Sequence, residues 1–449
     1  MSPRPELPPG PYLIVGLGRS GIAAARALRA RGASVTGYDA GEPPEAVALL
    51  AEGVELSLGE APVETQLEGV RTVIKSPGVP DAAPVIAAAR GRGLSVLGEL
   101  ELAWRLLPND FIAVTGTNGK TTTVELIGHI HRRAGRAVAV AGNVGTALSS
   151  LVGALAREAT VACEVSSFQL HDASRFAPEV GVLLNVAPDH LDRHETMEAY
   201  LAAKLKLFAR QRERDYAIAP PDILALLAGG RKVAFARGTG FEMCEHDGSM
   251  WWRERALLEV TELPLRGRHN VENAMAAAAA CLVRGLEPSD VRAGLRSFRG
   301  VPHRLQEVAR RDGVLYVNDS KATNVASALV ALEAFAGQAQ VHLILGGQGK
   351  GQDFAPLREP VQRACAGAYL IGEDAPAIEQ ALAGVGTPLL RCGELERAVH
   401  ACRHAAHPGE VVLLSPACAS FDQFSDFEAR GERFCELVRE GGFGQTTSK

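Results

Sequence analysis

Short apolar runs rich in β-branched residues alternate, over the first hundred residues, with stretches whose apolar positions recur every three or four residues. "YLIVG" from Tyr12, "SVTGYD" from Ser34, "TVIKS" from Thr72 and "SVLGEL" from Ser95 have the short, apolar character of strands. Between them, "GIAAARALRARG" and "APVIAAARGRG" have helical spacing and close on glycine. Strand–helix alternation of this kind predicts a parallel sheet with crossover helices. The Pro-Asn-Asp at 108–110 interrupts the pattern, which then restarts with "FIAVTG", "AVAVAGN", "TVACEVSSF" and "GVLLNVAPDH". An excursion near 231–263 ("KVAFAR", "MWWRER", "ALLEVTEL") predicts a small antiparallel appendage, and long helices are expected from about 270 to 298. From 302 onward a hairpin pattern, "LQEVARRDGVLYVND", precedes "VHLILGG", "AYLIG" and "EVVLLSP", separated by helical stretches. The expectation is α/β throughout, in three α/β domains at residues 1–107, 108–301 and 302–449: a Rossmann-like unit, a central unit built on a phosphate loop, and a second Rossmann-like unit.

At 449 residues the chain exceeds what one core supports, in line with several domains. Its net charge of −5, with no basic run interleaved with aromatics, argues against a nucleic-acid partner. The start, "MSPRPELPPG", lacks the layout of a signal peptide, and the most apolar stretch, "AMAAAAACLV", is too short to span a bilayer. Eight scattered cysteines without a C-x-x-C pair suit buried thiols in a reducing compartment. The expected setting is the cytoplasm, without membrane association.

The chemistry concentrates where apolar runs end. "GTNGKTT" at 116–122 follows a strand and opens a helix, the context in which backbone N–H groups and a helix N-terminus cradle phosphate. Lys120 is placed to reach the β- and γ-phosphates and Thr121 to ligate Mg²⁺. The common loop has Gly or Ala five residues before Gly119, and here that position is Val114. "GLGRSG" at 16–21, with Asp39 ending the next strand, matches a dinucleotide fingerprint, which by itself says only that a diphosphate sits there. "KSPGVP" at 75–80 adds a second loop at that edge. Glu164 terminates an apolar run in "EVSSFQL", poorly placed for a core and well placed for Mg²⁺, and His190 in "NVAPDHLDRH" has the same character. "YLAAKLKLF" predicts an amphipathic helix on which Lys204 and Lys206 read by default as solvated surface lysines. Asn270 and Asn273, three apart in "GRHNVEN", suit either adenine recognition or capping of another element. "VPHR", "NDSKATN", "GGQGK" and "SPACASFDQF" form a polar rim in the last segment, fitted to a small anionic substrate.

Together, "GTNGKTT", "EVSSFQL", "HNVEN", "PHR" and "NDSKATN" resemble the ATP-dependent Mur ligases of peptidoglycan synthesis along nearly the whole chain. "NDSKATN", "LGGQGK" and "SPACASFDQFSDFEARGERF" are similar to the branch of that family that adds D-glutamate to UDP-N-acetylmuramoyl-L-alanine. The resemblance implies an amide ligase that uses ATP and two Mg²⁺ ions and works as a monomer. It implies a UDP-substrate site at Gly18, Ser20, Asp39, Ser76, Gly78 and Asn143. It places ATP at Gly116, Thr117, Asn118, Gly119, Lys120, Thr121 and Thr122, with Asn270 and Asn273 near the adenine and Arg304, Asp319 and Lys321 closing over the nucleotide. Thr121 and Glu164 would hold one Mg²⁺ and His190 the second, with Lys204 at the position of a carbamylated, metal-ligating lysine. Lys120, His190 and Lys204 would serve catalysis, and Thr323, Lys350, Ser420 and Phe427 would hold D-glutamate. One departure is Ala40-Gly41, where relatives often carry a hydroxyl and an Arg, so uracil must be recognised differently here. An NAD-dependent oxidoreductase would use "GLGRSG" but leave "GTNGKTT" idle, and a nucleotide-binding regulatory module would not need the third rim. The nearest alternative within the enzymes is a folylpolyglutamate or polyglutamate ligase.

Overall fold

The structure is a computed structural model that describes residues 4–59, 63–189, 194–227, 229–265, 267–349 and 351–440. His190 and Lys350 lie outside the described residues. The apolar runs pair into three sheets. The first holds β1 (Tyr12–Val15), β2 (Val35–Asp39), β3 (Glu55–Leu58), β4 (Thr72–Lys75) and β5 (Ser95–Gly98) in the order β3-β2-β1-β4-β5, all parallel. Strand β3 was not expected. Its "ELSL" is half exposed at the sheet edge, so it carries no continuous apolar run to announce it. "SVLGEL" is a strand only to Gly98; Glu99 and Leu100 already belong to the helix Glu99–Leu106.

The second sheet holds β6 (Phe111–Thr115), β7 (Val138–Gly142), β8 (Thr160–Glu164), β9 (Val180–Leu183), β10 (Tyr216–Ala219), β11 (Arg231–Arg237), β12 (Met243–His246), β13 (Ser249–Trp252) and β14 (Arg255–Glu259). Its order is β14-β13-β12-β11-β10-β9-β6-β8-β7. The excursion at 231–263 is therefore not a separate appendage. β11 runs parallel to both β10 and β12 in the main sheet, and only β13 and β14 add antiparallel pairings, extending the same sheet outward. Parallel strands β6 and β9 are buried along their whole length and β8 from Val161 on, which is why they read as unbroken apolar runs. The Ala-rich helix Arg268–Val283 is buried on nearly every side because small side chains let it pack closely against the helix Lys120–Arg133.

The third sheet holds β15 (Gln306–Arg311), β16 (Val314–Asn318), β17 (Val341–Gly346), β18 (Cys365–Ile371), β19 (Leu389–Gly393) and β20 (Val411–Leu414), ordered β15-β16-β20-β17-β18-β19. β15 and β16 form the expected hairpin. The chain divides into two compact units: the first two sheets with their helices to Phe298, and the third sheet from Arg299 onward.

Within the first unit the two sheets are joined by more than a linker. The helix Glu99–Leu106 leaves the first sheet and packs Leu100, Ala103 and Trp104 into the core of the second, with the Trp104 ring edge-on to Phe176 at 5.7 Å. Its first-turn acids stay buried and accept backbone N–H groups: Glu99 from Ser149 at 2.7 Å, Glu101 from Arg175 at 3.0 Å and from Ser174. Lys75, at the end of β4 and 2% exposed, donates to Asp172 Oδ2 at 2.7 Å and to Asp81 at 2.8 Å. Among the described residues no helix is long and apolar enough to cross a membrane.

Candidate active site

β6 is apolar to Thr115, and the chain then leaves the sheet as Gly116-Thr117-Asn118-Gly119 before the helix Lys120–Arg133 begins. Gly119 is left-handed (φ 85°), and a Cβ there would stand 2.2 Å from Asn273 Oδ1, so no other residue fits. Asn185, at the end of the neighbouring β9, fixes the loop from the other side. Its Oδ1 accepts Asn118 N–H at 2.9 Å and its Nδ2 donates to Asn118 O at 3.2 Å. The Thr117 hydroxyl sits 3.3 Å from that of Tyr200. Thr122 lies in the first helical turn, half-buried.

Thr121 Oγ1 donates to Glu164 Oε2 at 2.7 Å, and Asn143 Nδ2 donates to Glu164 Oε1 at 3.1 Å. The residues at this point offer only oxygen donors for a cation, a hydroxyl and a carboxylate side by side, and such hard donors fit Mg²⁺. Asn143 also faces the other way. It lines a cavity of about 460 Å³ together with Gly16, Gly18, Arg19, Ser20, Asp39, Ser76, Pro77, Gly78, Val79, Gly142 and Gln169. All six residues expected at the UDP substrate thus border one space, at the carboxyl ends of strands from both sheets of the first unit. Asp39 there accepts Leu17 N–H at 2.6 Å and Gly41 N–H at 2.8 Å, one on each carboxylate oxygen, so it shapes the glycine loop as well as facing the cavity. Ser76 Oγ donates to Gly16 O at 2.7 Å.

Lys204 is not the surface lysine that its helix pattern suggests. The helix Met197–Leu205 buries it at 1% exposure, and its ammonium lies 4.3 Å from the Tyr200 ring centroid. Lys204 Nζ and Lys120 Nζ both donate to Gly116 O, each at 2.9 Å. Burial first, and the Lys120 charge second, push the Lys204 amine down to about 7. Lys206 is exposed, as expected. Asn273 is buried, donating to Asn270 Oδ1 at 3.1 Å while pressing on Gly119.

The third unit gathers its motif residues at the carboxyl edge of its own sheet. Asp319 follows β16 and accepts Ser415 Oγ–H at 2.8 Å and Leu305 N–H at 3.1 Å. Burial pushes its carboxyl up to about 7, opposed by those hydrogen bonds and by the Arg304 charge. Lys321 Nζ stands 3.7 Å over the Phe427 ring. Thr323 is half-buried in the same loop. The Ser420 hydroxyl is buried and, among the described residues, has no hydrogen-bond partner.

Asn185 and Tyr200, which shape the phosphate loop, and Gln169, which lines the cavity, lay inside quoted motifs without an assigned role. Lys75 carried a usable signal, a charge ending an apolar run, the same one that marks Glu164.

A phosphate loop wired through two side chains to a nucleotide-sized cavity, followed by a separate α/β unit, is a ligase arrangement, and the comparisons agree. Residues 11–98 match the MurD-like N-terminal domain of Mur ligases, 114–281 the Mur ligase middle domain, and 303–418 the glutamate ligase domain of Mur ligases. The chain belongs to the Mur ligase family, whose members are ATP-dependent, peptide-forming ligases. It is 43% identical to the UDP-N-acetylmuramoylalanine–D-glutamate ligase of Pelotomaculum thermopropionicum, over 95% of this chain and 96% of that one. To the enzyme of the same name from Anaeromyxobacter dehalogenans it is 44% identical, over 97% and 99%. The UDP-N-acetylmuramate–alanine ligase of Thermotoga maritima shares the fold, with a TM-score of 0.61 at 18% identity over 96% of this chain and 99% of that one. So does the MurF ligase of Thermotoga maritima in complex with ADP, with a TM-score of 0.58 at 18% identity over 90% and 94%.

Proposed function

We propose that this protein joins D-glutamate to UDP-N-acetylmuramoyl-L-alanine, with ATP split to ADP and phosphate, in the cytoplasm. The observation that carries the reading is the Asn143–Glu164–Thr121 chain of hydrogen bonds, which leads from the cavity to the phosphate loop. A carboxylate held at the Asn143 end of the cavity is thereby aimed at a γ-phosphate held at Lys120. The names of the relatives supply the acceptor and the amino acid. The eight cysteines, all buried and free, suit a reducing compartment.

The acceptor's alanyl carboxylate attacks the γ-phosphorus, the P–O bond to ADP breaks, and an acyl phosphate forms. The deprotonated amine of D-glutamate then attacks the acyl carbon, a C–N bond forms, and phosphate leaves. Lys120 places a fixed positive charge where the transferred phosphoryl group develops negative charge. Thr121 and Glu164 would hold one Mg²⁺, and His190 with a carbamylated Lys204 the second; when bound, these ions neutralise phosphate charge. Asn270 and Asn273 are assigned to the adenine end of ATP, with Arg304, Asp319 and Lys321 closing over the nucleotide. Thr323, Lys350, Ser420 and Phe427 are assigned to D-glutamate, and the unpartnered Ser420 hydroxyl supports a ligand there.

The test is ADP and phosphate release measured over a matrix of acceptors and amino acids. UDP-N-acetylmuramoyl-L-alanine with D-glutamate should give turnover, while L-glutamate or a folate acceptor should not. Appearance of AMP and pyrophosphate, or equal turnover with L-glutamate, would overturn the reading. Lys120→Ala should remove most activity without shifting the melting temperature.

A further inference from the structure

The third unit contains a buried cation that none of the site assignments uses. Arg430 lies in the helix Phe427–Glu440, is 1% exposed, and among the described residues makes no ion pair within 4 Å, the Asp422 carboxylate acting on its charge only from farther off. Its guanidinium instead satisfies itself on neutral oxygens. Nε donates to Ser320 Oγ at 3.0 Å, one terminal nitrogen to Ser320 O at 2.9 Å and Cys418 O at 3.0 Å, and the other to Ala419 O at 3.2 Å.

Those acceptors belong to the loops expected to hold the amino acid. Ser320 precedes Lys321 and Thr323, and Cys418 and Ala419 precede Ser420. The Ser320 hydroxyl passes the connection on, donating to Phe427 O at 2.8 Å. Gly347, in the loop that runs on to Lys350, is pressed so closely that a Cβ there would meet Ala419 O at 2.2 Å and the guanidinium at 3.1 Å. One side chain therefore ties together the backbone on either side of Thr323, Ser420 and Phe427, three of the residues assigned to D-glutamate. Removing a cation from water without a counter-ion is costly, and neutral dipoles offset that cost only in part. Burial lowers its pKa to about 10, so the group is still charged at neutral pH.

We propose that Arg430 is a positioning residue for the amino-acid substrate: it sets the spacing of the Thr323, Ser420 and Phe427 loops, and its charge, offset only from a distance by Asp422, favours a ligand that brings carboxylates. The proposal rests on the assignment of D-glutamate as substrate. A ligand with two carboxylates adds negative charge beyond that of Asp422, which makes acidic amino acids better partners than their amides.

The experiment compares Arg430→Lys, Arg430→Gln and Ser320→Ala with the unchanged enzyme in steady-state ADP release, varying D-glutamate, D-glutamine and the UDP acceptor in turn, with melting temperature as a control. Arg430→Gln should raise the KM for D-glutamate at least about tenfold, leave the KM for the acceptor within about twofold, and narrow the preference for D-glutamate over D-glutamine. Arg430→Lys, which keeps the charge but not the fork, should restore the D-glutamate preference while the KM for D-glutamate stays raised. If Arg430→Gln fails to fold, Ser320→Ala still loosens the connection to Phe427 and should raise the D-glutamate KM alone. Unchanged D-glutamate KM in the folded variants, or equal rises for acceptor and D-glutamate, overturns the proposal. If the unchanged enzyme releases no ADP with D-glutamate, the substrate assignment fails instead.

Discussion

At the scale of single residues, two buried ionisable groups carry measurable consequences. Lys204 and Lys120 share one carbonyl oxygen, and burial holds the Lys204 amine near 7 against an ordinary 10.5. About half of it is then neutral at pH 7, the form that captures CO₂ as a carbamate. ¹³C-bicarbonate should give a carbamate resonance that survives Lys206→Arg and disappears in Lys204→Arg, with activity falling on the order of 100-fold or more in the latter only. An enzyme fully active with no such resonance would remove Lys204 from the metal ligands. Asp319 shifts the other way, from 3.8 up to about 7. Between those values the folded chain keeps a proton that the unfolded chain has released, so Asp319 makes stability fall as pH rises through that window. Asp319→Asn keeps a partner for both Leu305 N–H and Ser415, and removes the titration. Its melting temperature should be less dependent on pH between 5 and 8 and should exceed that of the unchanged chain at pH 8. A loss of stability at pH 8 would contradict this account.

At the scale of elements, the ends of β4 and of the helix Ser167–His171 are locked by Lys75 and Asp172, whose side chains are 2% and 3% exposed. Ser76 and Gly78 directly follow the lysine and Gln169 closely precedes the aspartate, so this pair fixes two walls of the cavity. Lys75→Ala leaves Asp172 buried with its main partner gone, at a cost of roughly 3–5 kcal/mol. Chemical denaturation should show that loss, and the KM for the UDP substrate should rise while that for ATP holds. Lys75→Met with Asp172→Leu should recover most of the stability, and a double variant no better than the single one would refute the ion-pair account. Elements of this kind were legible where burial is uniform: β6, β8, β9 and the Ala-rich helix announce themselves because each is apolar on all sides. β3, exposed at an edge, gives no such pattern, and β11 looked detachable because it runs on into the antiparallel hairpins of β12 to β14. The site was legible wherever a polar residue ends an apolar run, as Glu164 and Asp319 do. Lys204 was misjudged from its helix pattern because only tertiary packing shows which face of Met197–Leu205 is covered, and Arg430 sits among charged helix neighbours that hide its burial.

At the scale of the whole molecule, the helix Glu99–Leu106 serves two cores, giving Leu102 and Leu106 to that of the first sheet and Leu100 and Trp104 to that of the second, whereas the third sheet has its own around Leu343, Leu370 and Leu413. Unfolding followed by calorimetry should therefore separate into two transitions, the larger raised by the UDP substrate; a single transition insensitive to that ligand would argue against two units. The strand order of the third sheet reaches further, into how the chain is made. β20 is the last strand synthesised, yet it lies in the middle, with Val411 between Leu315 and Val341. The hairpin of β15 and β16 is complete about 90 residues before its partner strand exists. At about 5–20 residues per second, those two strands wait on the order of 5–20 s on the ribosome with one edge uncovered. During that interval an unpaired β16 edge is what a chaperone would meet first.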